Sequence, residues 1–223
     1  MNKKYQPENT SNKNWVLFLF IILLSSGIFS WLAIHVKSGK TFLIDKEAFA
    51  ITIALRNNFM NLLMEFMTFL GSSTFLLPAN IIIALFILFY KKNYLFSIYW
   101  AVTATFSLLL MYFFKGIYQR PRPLDPFLES ATGFSFPSGH TLNSLVFFGL
   151  IIFSLWKYGR NKSLRIWGTI LLILIILAIG LSRIYLRVHY ASDVLGGLSL
   201  GICWLTISIY LLGLIETRNR NSI

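Results

Sequence analysis

Acidic side chains are scarce: 8 Asp and Glu stand against 20 Lys and Arg in 223 residues, for a formal charge of +12. Such an excess can mark a nucleic-acid binder. Here the basic residues fall at the edges of apolar runs rather than in one patch, which excludes nucleic acid as the expected partner and favours membrane anchoring. Cysteine is nearly absent. The single Cys203 lies within an apolar run, so no disulfide can form within the chain and a buried apolar role is expected. There is no internal repeat and no low-complexity linker, so one domain is expected over 15–215, with cytoplasmic tails at 1–14 and 216–223. What fills the chain instead is apolar surface: 56% hydrophobic residues, 17% aromatic, mean hydropathy +0.67. A water-soluble domain of this length would not carry so much, so these residues must face lipid.

Hydropathy predicts six spans, at about 15–36, 73–90, 94–114, 139–157, 165–182 and 194–215. The first follows Lys3, Lys4 and Lys13, is long for a signal peptide and lacks a small-x-small cleavage site, so it reads as an uncleaved span. An even number of spans puts both termini on one side. The loops and tails on that side hold eleven Lys and Arg, the other side nine. If Lys115, Arg122 and Arg183 are held by function, six remain against eleven, and the positive-inside rule predicts cytoplasmic termini. The predicted fold class is therefore an all-α, six-span transmembrane bundle.

Segment 42–70 is neither a clean span nor a polar loop. Asp45 is placed to cap a helix with Glu47 in its first turn, and apolar residues from Phe49 to Leu70 recur at helical spacing. One or two amphipathic helices in the outer interface are expected, with a bent extension of the second span as the alternative. Pro78 is expected to kink that second span.

Three junctions on the predicted outer face carry polar groups that apolar spans normally exclude. The first runs from Lys115 to Gln119-Arg120-Pro121-Arg122-Pro123, where alternating prolines force an extended backbone. Lys115 and one of the two arginines can converge there on an anion, although a basic cluster at a span end also serves as a headgroup anchor. The second is Phe136-Pro137-Ser138-Gly139-His140, a helix start whose free N–H groups form a phosphate cradle, with His140 at its mouth. An ordinary helix cap with an interfacial histidine is the plainer reading. The third is Ser182 to Asp193, where Arg183, Arg187, His189 and Asp193 crowd between two apolar runs. If the backbone is helical from His189 on, Asp193 lies one turn away and holds one imidazole nitrogen, leaving the other free to attack. A structural ion pair of Asp193 with Arg183 or Arg187 is the competing account.

Taken in order, Lys115-x6-Arg122-Pro123, Pro137-Ser138-Gly139-His140 and Ser182-Arg183-x5-His189-x3-Asp193 resemble the three-part signature of the type 2 phosphatidic acid phosphatase superfamily. The run Gly71 to Pro78 is similar to that of its small bacterial members of the phosphatidylglycerophosphatase type. The resemblance implies catalytic roles for three residues. His189 would be a nucleophile forming a phosphohistidine, Asp193 its orienter, and His140 the acid for the leaving oxygen and then the base for water. It implies phosphate binding by Lys115, Arg122, Arg183, Ser138 and the Gly139 N–H, with Arg120 and Arg187 as secondary candidates. No cofactor is implied. No metal is expected either, because Asp193 is the one carboxylate in the signature and the surrounding cations would repel an ion. The implied substrate is a lipid phosphate on the outer leaflet: phosphatidylglycerophosphate, phosphatidic acid or undecaprenyl pyrophosphate. A lipid phosphotransferase using the same phosphohistidine, and a non-catalytic lipid-binding protein, are the alternatives. Oligomeric state is not encoded in any of these motifs.

Overall fold

The computed structural model describes residues 15–39, 42–127 and 131–221, so the predicted N-terminal tail lies outside the described residues. Eight α-helices follow one another: α1 (Trp15–Lys37), α2 (Leu43–Ala54), α3 (Asn58–Leu70), α4 (Ser73–Leu85), α5 (Tyr94–Tyr118), α6 (Gly139–Tyr158), α7 (Lys162–Tyr185) and α8 (Ala191–Asn221). No strand occurs among the described residues. Six of these helices, with α4 extended by a π-helical turn over Phe86–Tyr90, are long and apolar enough to cross a membrane.

The six predicted spans are all present. Their ends differ where charge sits inside a helix. α5 runs past residue 114 to Tyr118, and α7 begins at Lys162, because Lys115, Lys162 and Arg165 occupy helical turns that a hydropathy window discards. α8 continues past residue 215 to Asn221, and its Glu216 pairs with Lys157 of α6 at 2.6 Å. Short polar side chains begin several helices. Asn57, Ser72, Asn93 and Asn161 each accept a hydrogen bond from the backbone N–H three residues on, satisfying donors that a helix start leaves unpaired. Pro78 lies in the second turn of α4, and the helix continues beyond it to the π-helical turn.

Segment 42–70 forms two helices, separated from α4 by Gly71 and Ser72. Asp45 does not cap α2. The chain leaves its extended conformation at Phe42, which is the cap position, and Asp45 falls inside the first turn with its carboxylate buried against α8. α3 packs Met64 against Tyr185, Leu186 and Val188 at the end of α7, while Phe59, Leu62 and Phe66 remain exposed.

α6 is the central span. Its first half, from Gly139 to Leu150, is almost wholly buried between α5, α7 and α8. α8 approaches it through Gly197 and Gly201, a small-xxx-small spacing that lets helix backbones close on each other. A Cβ on Gly197 would lie 2.6 Å from the Ser138 carbonyl oxygen, and one on Gly201 3.1 Å from the Leu145 side chain. This seam ties the start of α6 to the start of α8, the two helix ends that carry the polar junctions read from sequence. Outward-facing span positions, among them Phe20, Ile82, Tyr112, Trp167 and Leu174, are apolar and exposed, as lipid contact requires.

Candidate active site

All three junctions meet at one end of the bundle, opposite the start of α1 and the end of α8. There a cavity of about 1040 Å³ opens between α4, α5 and α6, and Lys115, Arg122, Gly139, His140, Arg183 and His189 line it. The three cations and two imidazoles come from α5, the loop after it, α6, α7 and the α7–α8 turn.

Each cation is aimed by its own partners. Lys115, in the last turn of α5, donates to the Phe134 carbonyl. Arg122 is held on the α5–α6 loop by donating to the Thr132, Gly133 and Val188 carbonyls, and its Nη1 stands 3.2 Å from His189 Nε2. Arg183, 2% exposed, donates to the Thr68 hydroxyl on α3. Thr68 was invisible to sequence reasoning because a single hydroxyl in an amphipathic helix carries no periodic signal.

His189 sits just before α8 rather than in it. The helix begins at Ala191, and Arg187 turns the chain through a left-handed conformation (φ +53°). The expected pairing nevertheless forms: His189 Nδ1 lies 3.4 Å from Asp193 Oδ2. A carboxylate only accepts, so Nδ1 carries the proton and the Nε2 lone pair faces the cavity and Arg122. Asp193 Oδ2 also accepts from the Tyr190 N–H, which fixes the carboxylate across the turn. Burial pushes the His189 pKa down to about 4; Arg122 and Arg183 add to that shift, while the hydrogen bond and charge of Asp193 oppose it. The imidazole is therefore neutral at physiological pH, the form a nucleophile needs.

This has a consequence for stability. The unfolded His189 titrates near 6.5 and the folded one near 4, so the folded state gains from the neutral form at any pH above 6.5. That contribution, about 3 kcal/mol, is lost progressively as pH falls from 6.5 to 4. Thermal unfolding of detergent-solubilised protein at pH 7, 5 and 4 should show it as a falling Tm, and His189→Gln should flatten the fall by that amount.

The other sequence-predicted residues divide. His140 lies in the first turn of α6 at the cavity wall, and Gly71 packs beneath it so closely that a Cβ there would sit 3.3 Å from the ring. A Cβ on Gly139 would lie 2.2 Å from Met111 Sδ, so its small size is needed for packing against α5 as well as for any approach of an anion. Ser138 precedes α6 without capping it. Its Oγ accepts from Thr141 and its N–H donates to the Asp193 carbonyl, which leaves the hydroxyl behind the cavity wall rather than on it. Arg187 also stands off the cavity, its guanidinium 5.2 Å over the Phe49 ring. Arg120 does not face the cavity either; it forms ion pairs with Asp45 and Asp193. Sequence reasoning missed this role of Asp45. The signal was there in principle, a carboxylate in an apolar segment of an acid-poor chain.

Among the described residues no group of three His, Cys, Asp or Glu side chains is arranged to hold a metal ion. What the cavity concentrates instead is positive charge beside a neutral imidazole and a helix N-terminus, a setting for an oxyanion with three or more oxygens.

Comparison with known proteins identifies the family of this chain. The PAP2 superfamily model matches residues 94–215, which hold all three motifs. Phosphatidylglycerophosphatase B of Bacillus subtilis (strain 168) is 33% identical over 191 residues, covering 83% of this chain and 88% of that protein. A crystal structure of a transmembrane PAP2 type phosphatidylglycerolphosphate phosphatase from Bacillus subtilis superposes with a TM-score of 0.74 at 29% identity, over 87% of this chain and 97% of that one. The crystal structure of Aquifex aeolicus LpxE does so with a TM-score of 0.58 at 25% identity, over 75% and 96%. The chain is thus a multi-pass, all-helical membrane member of the PAP2 superfamily, the family its three motifs resemble.

Proposed function

We propose that this membrane enzyme is a lipid phosphate phosphatase that removes a terminal phosphoryl group through a covalent histidine intermediate. One observation carries the lipid assignment. The cavity that begins at Lys115 continues along the same face of α5 to Ala101, bounded by Leu77, Ile81 and Leu85 of α4. Fourteen residues of helix rise about 21 Å, a depth that suits an acyl or prenyl tail rather than a soluble phosphate ester. The relative named phosphatidylglycerophosphatase B supports phosphatidylglycerophosphate as the first substrate to test, with phosphatidic acid and undecaprenyl pyrophosphate beside it.

In this reading Lys115, Arg122 and Arg183 bind the phosphoryl oxygens with the N–H groups at the start of α6. The bound phosphate takes the place now bridged by the Arg122–His189 hydrogen bond. His189 Nε2 then attacks phosphorus. The N–P bond forms as the bond to the lipid oxygen breaks, and His140 gives its proton to that oxygen. Asp193 stabilises the positive charge that develops on His189. Water, losing a proton to His140, then cleaves the N–P bond and releases orthophosphate. No step requires a metal. The Lys and Arg balance supports a site on the extracytoplasmic side with cytoplasmic termini.

The test is a phosphate-release panel over the three lipids with purified protein in detergent. At least one lipid should be hydrolysed, vanadate should inhibit by occupying the phosphate site, and EDTA should leave the rate unchanged. Release from none of the three, or loss of activity in EDTA, would overturn the reading.

A further inference from the structure

The mechanism above uses neither Asp45 nor Arg120, yet both side chains are buried at the back of its reacting pair, 5% and 10% exposed. Arg120 donates through Nη2 to Asp45 Oδ2 at 3.0 Å and through Nη1 to Asp193 Oδ1 at 2.5 Å. The Ser192 hydroxyl accepts from the same Nη1 at 2.8 Å and donates to Asp45 Oδ2 at 2.8 Å, while the Ser192 N–H donates to Asp45 Oδ1 at 2.8 Å. The guanidinium carbon lies 4.0 Å over the Tyr190 ring. One guanidinium is thus shared by two carboxylates, one on α2 and one on α8.

That sharing matters for charge. A lone arginine clamped to Asp193 would neutralise the carboxylate that faces His189, and an ion pair of net zero charge does little for a developing imidazolium. Asp45 on the other edge of the guanidinium brings the cluster to a net charge of −1. The same carboxylate holds both polar groups of Ser192, the residue before Asp193, so α2 also fixes the first turn of α8. We propose that Asp45, acting through Arg120, is a positioning residue for the reaction: it holds Asp193 in place and preserves its net negative charge for His189. This rests on the assignment of His189 as nucleophile and Asp193 as its orienter.

The experiment uses full-length protein in detergent, short-chain phosphatidic acid as substrate, and thermal unfolding to confirm folding. Asp45→Asn should lower kcat by about 10- to 100-fold, with KM and vanadate inhibition within about threefold of the parent. The double variant Asp45→Asn/Arg120→Gln removes one charge of each sign and restores the net −1 at Asp193. It should be more active than Asp45→Asn alone. A purely structural staple predicts the reverse, because the double variant loses more of the cluster, so a double variant no better than Asp45→Asn overturns the proposal. So does a folded Asp45→Asn with unchanged kcat. If Asp45→Asn does not fold, the double variant is judged alone: activity within about tenfold of the parent sustains the charge argument, and less overturns it. Asp193→Asn is run alongside. If it too keeps its activity, the catalytic assignment itself has failed; if it collapses while Asp45→Asn does not, only the role of Asp45 has.

Discussion

His189→Ala should abolish phosphate release, by about 10⁴-fold or more, with the protein still folded in detergent and still binding vanadate at its cations. The size of the effect follows from the chemistry. Without Nε2 there is no acceptor for the phosphoryl group, and water entering in its place lacks the fixed in-line position that the α7–α8 turn gives the ring. Asp193→Asn tests the same pair from behind. An amide accepts or donates at Nδ1 depending on its rotamer, so the tautomer that exposes the Nε2 lone pair is no longer enforced. We expect turnover about 10²- to 10⁴-fold lower with substrate binding spared. Counting protein-bound phosphate after acid and after alkaline treatment of enzyme quenched during turnover separates the roles. Parent enzyme should carry an alkali-stable, acid-labile phosphate and His189→Ala should carry none. Equal labelling in both would remove His189 from the mechanism.

The second large effect belongs to His140, and it depends on the leaving group. With phosphatidic acid or phosphatidylglycerophosphate the departing oxygen is an alkoxide of high basicity, and without a proton donor it leaves slowly. His140→Ala should cost about 10²- to 10⁴-fold in kcat. With p-nitrophenyl phosphate the departing phenolate needs no proton, so the first half-reaction should survive. Water activation still lacks its base, so a burst of p-nitrophenol of about one equivalent per site should precede a slow steady state. A loss of equal size with both substrates and no burst would show that His140 binds phosphate rather than moving protons.

Much of the candidate site was legible in the chain because its residues interrupt apolar runs. Ionisable groups at span ends stand out where every neighbour is Leu, Ile or Phe, and the spacing of Lys115, Arg122, His140, Arg183, His189 and Asp193 survives folding unchanged. The cavity gathers five of these six residues, with Asp193 behind His189. What could not be read was the second layer. Asp45 and Ser192 are 147 positions apart, as Arg183 and Thr68 are 115 apart, and their pairing depends on how α2 and α3 fold back over the ends of α7 and α8. Local pattern made Asp45 the cap of a helix with Glu47 in its first turn, a fair inference from neighbours alone. Arg120 and Arg122 differ only in where an extended Pro-flanked strand of backbone points them. One faces the cavity and the other turns its guanidinium toward the carboxylates beneath it. Helix ends were misjudged wherever a lysine or arginine completes a turn at the membrane boundary, since hydropathy counts the charge and not the backbone that carries it.

The glycine seam between α6 and α8 has a mechanical corollary. His140 rides on one of these helices and Asp193 on the other, and backbone-to-backbone proximity leaves neither able to slide without collision. We expect adjustment to lipids of different girth to fall to the opposite wall, where α4 buries only Leu76 among its thirteen residues and opens into a wider coil at Phe86. On that expectation the flank that carries the candidate site is the stiff one, and the flank that meets the hydrocarbon is the one that yields.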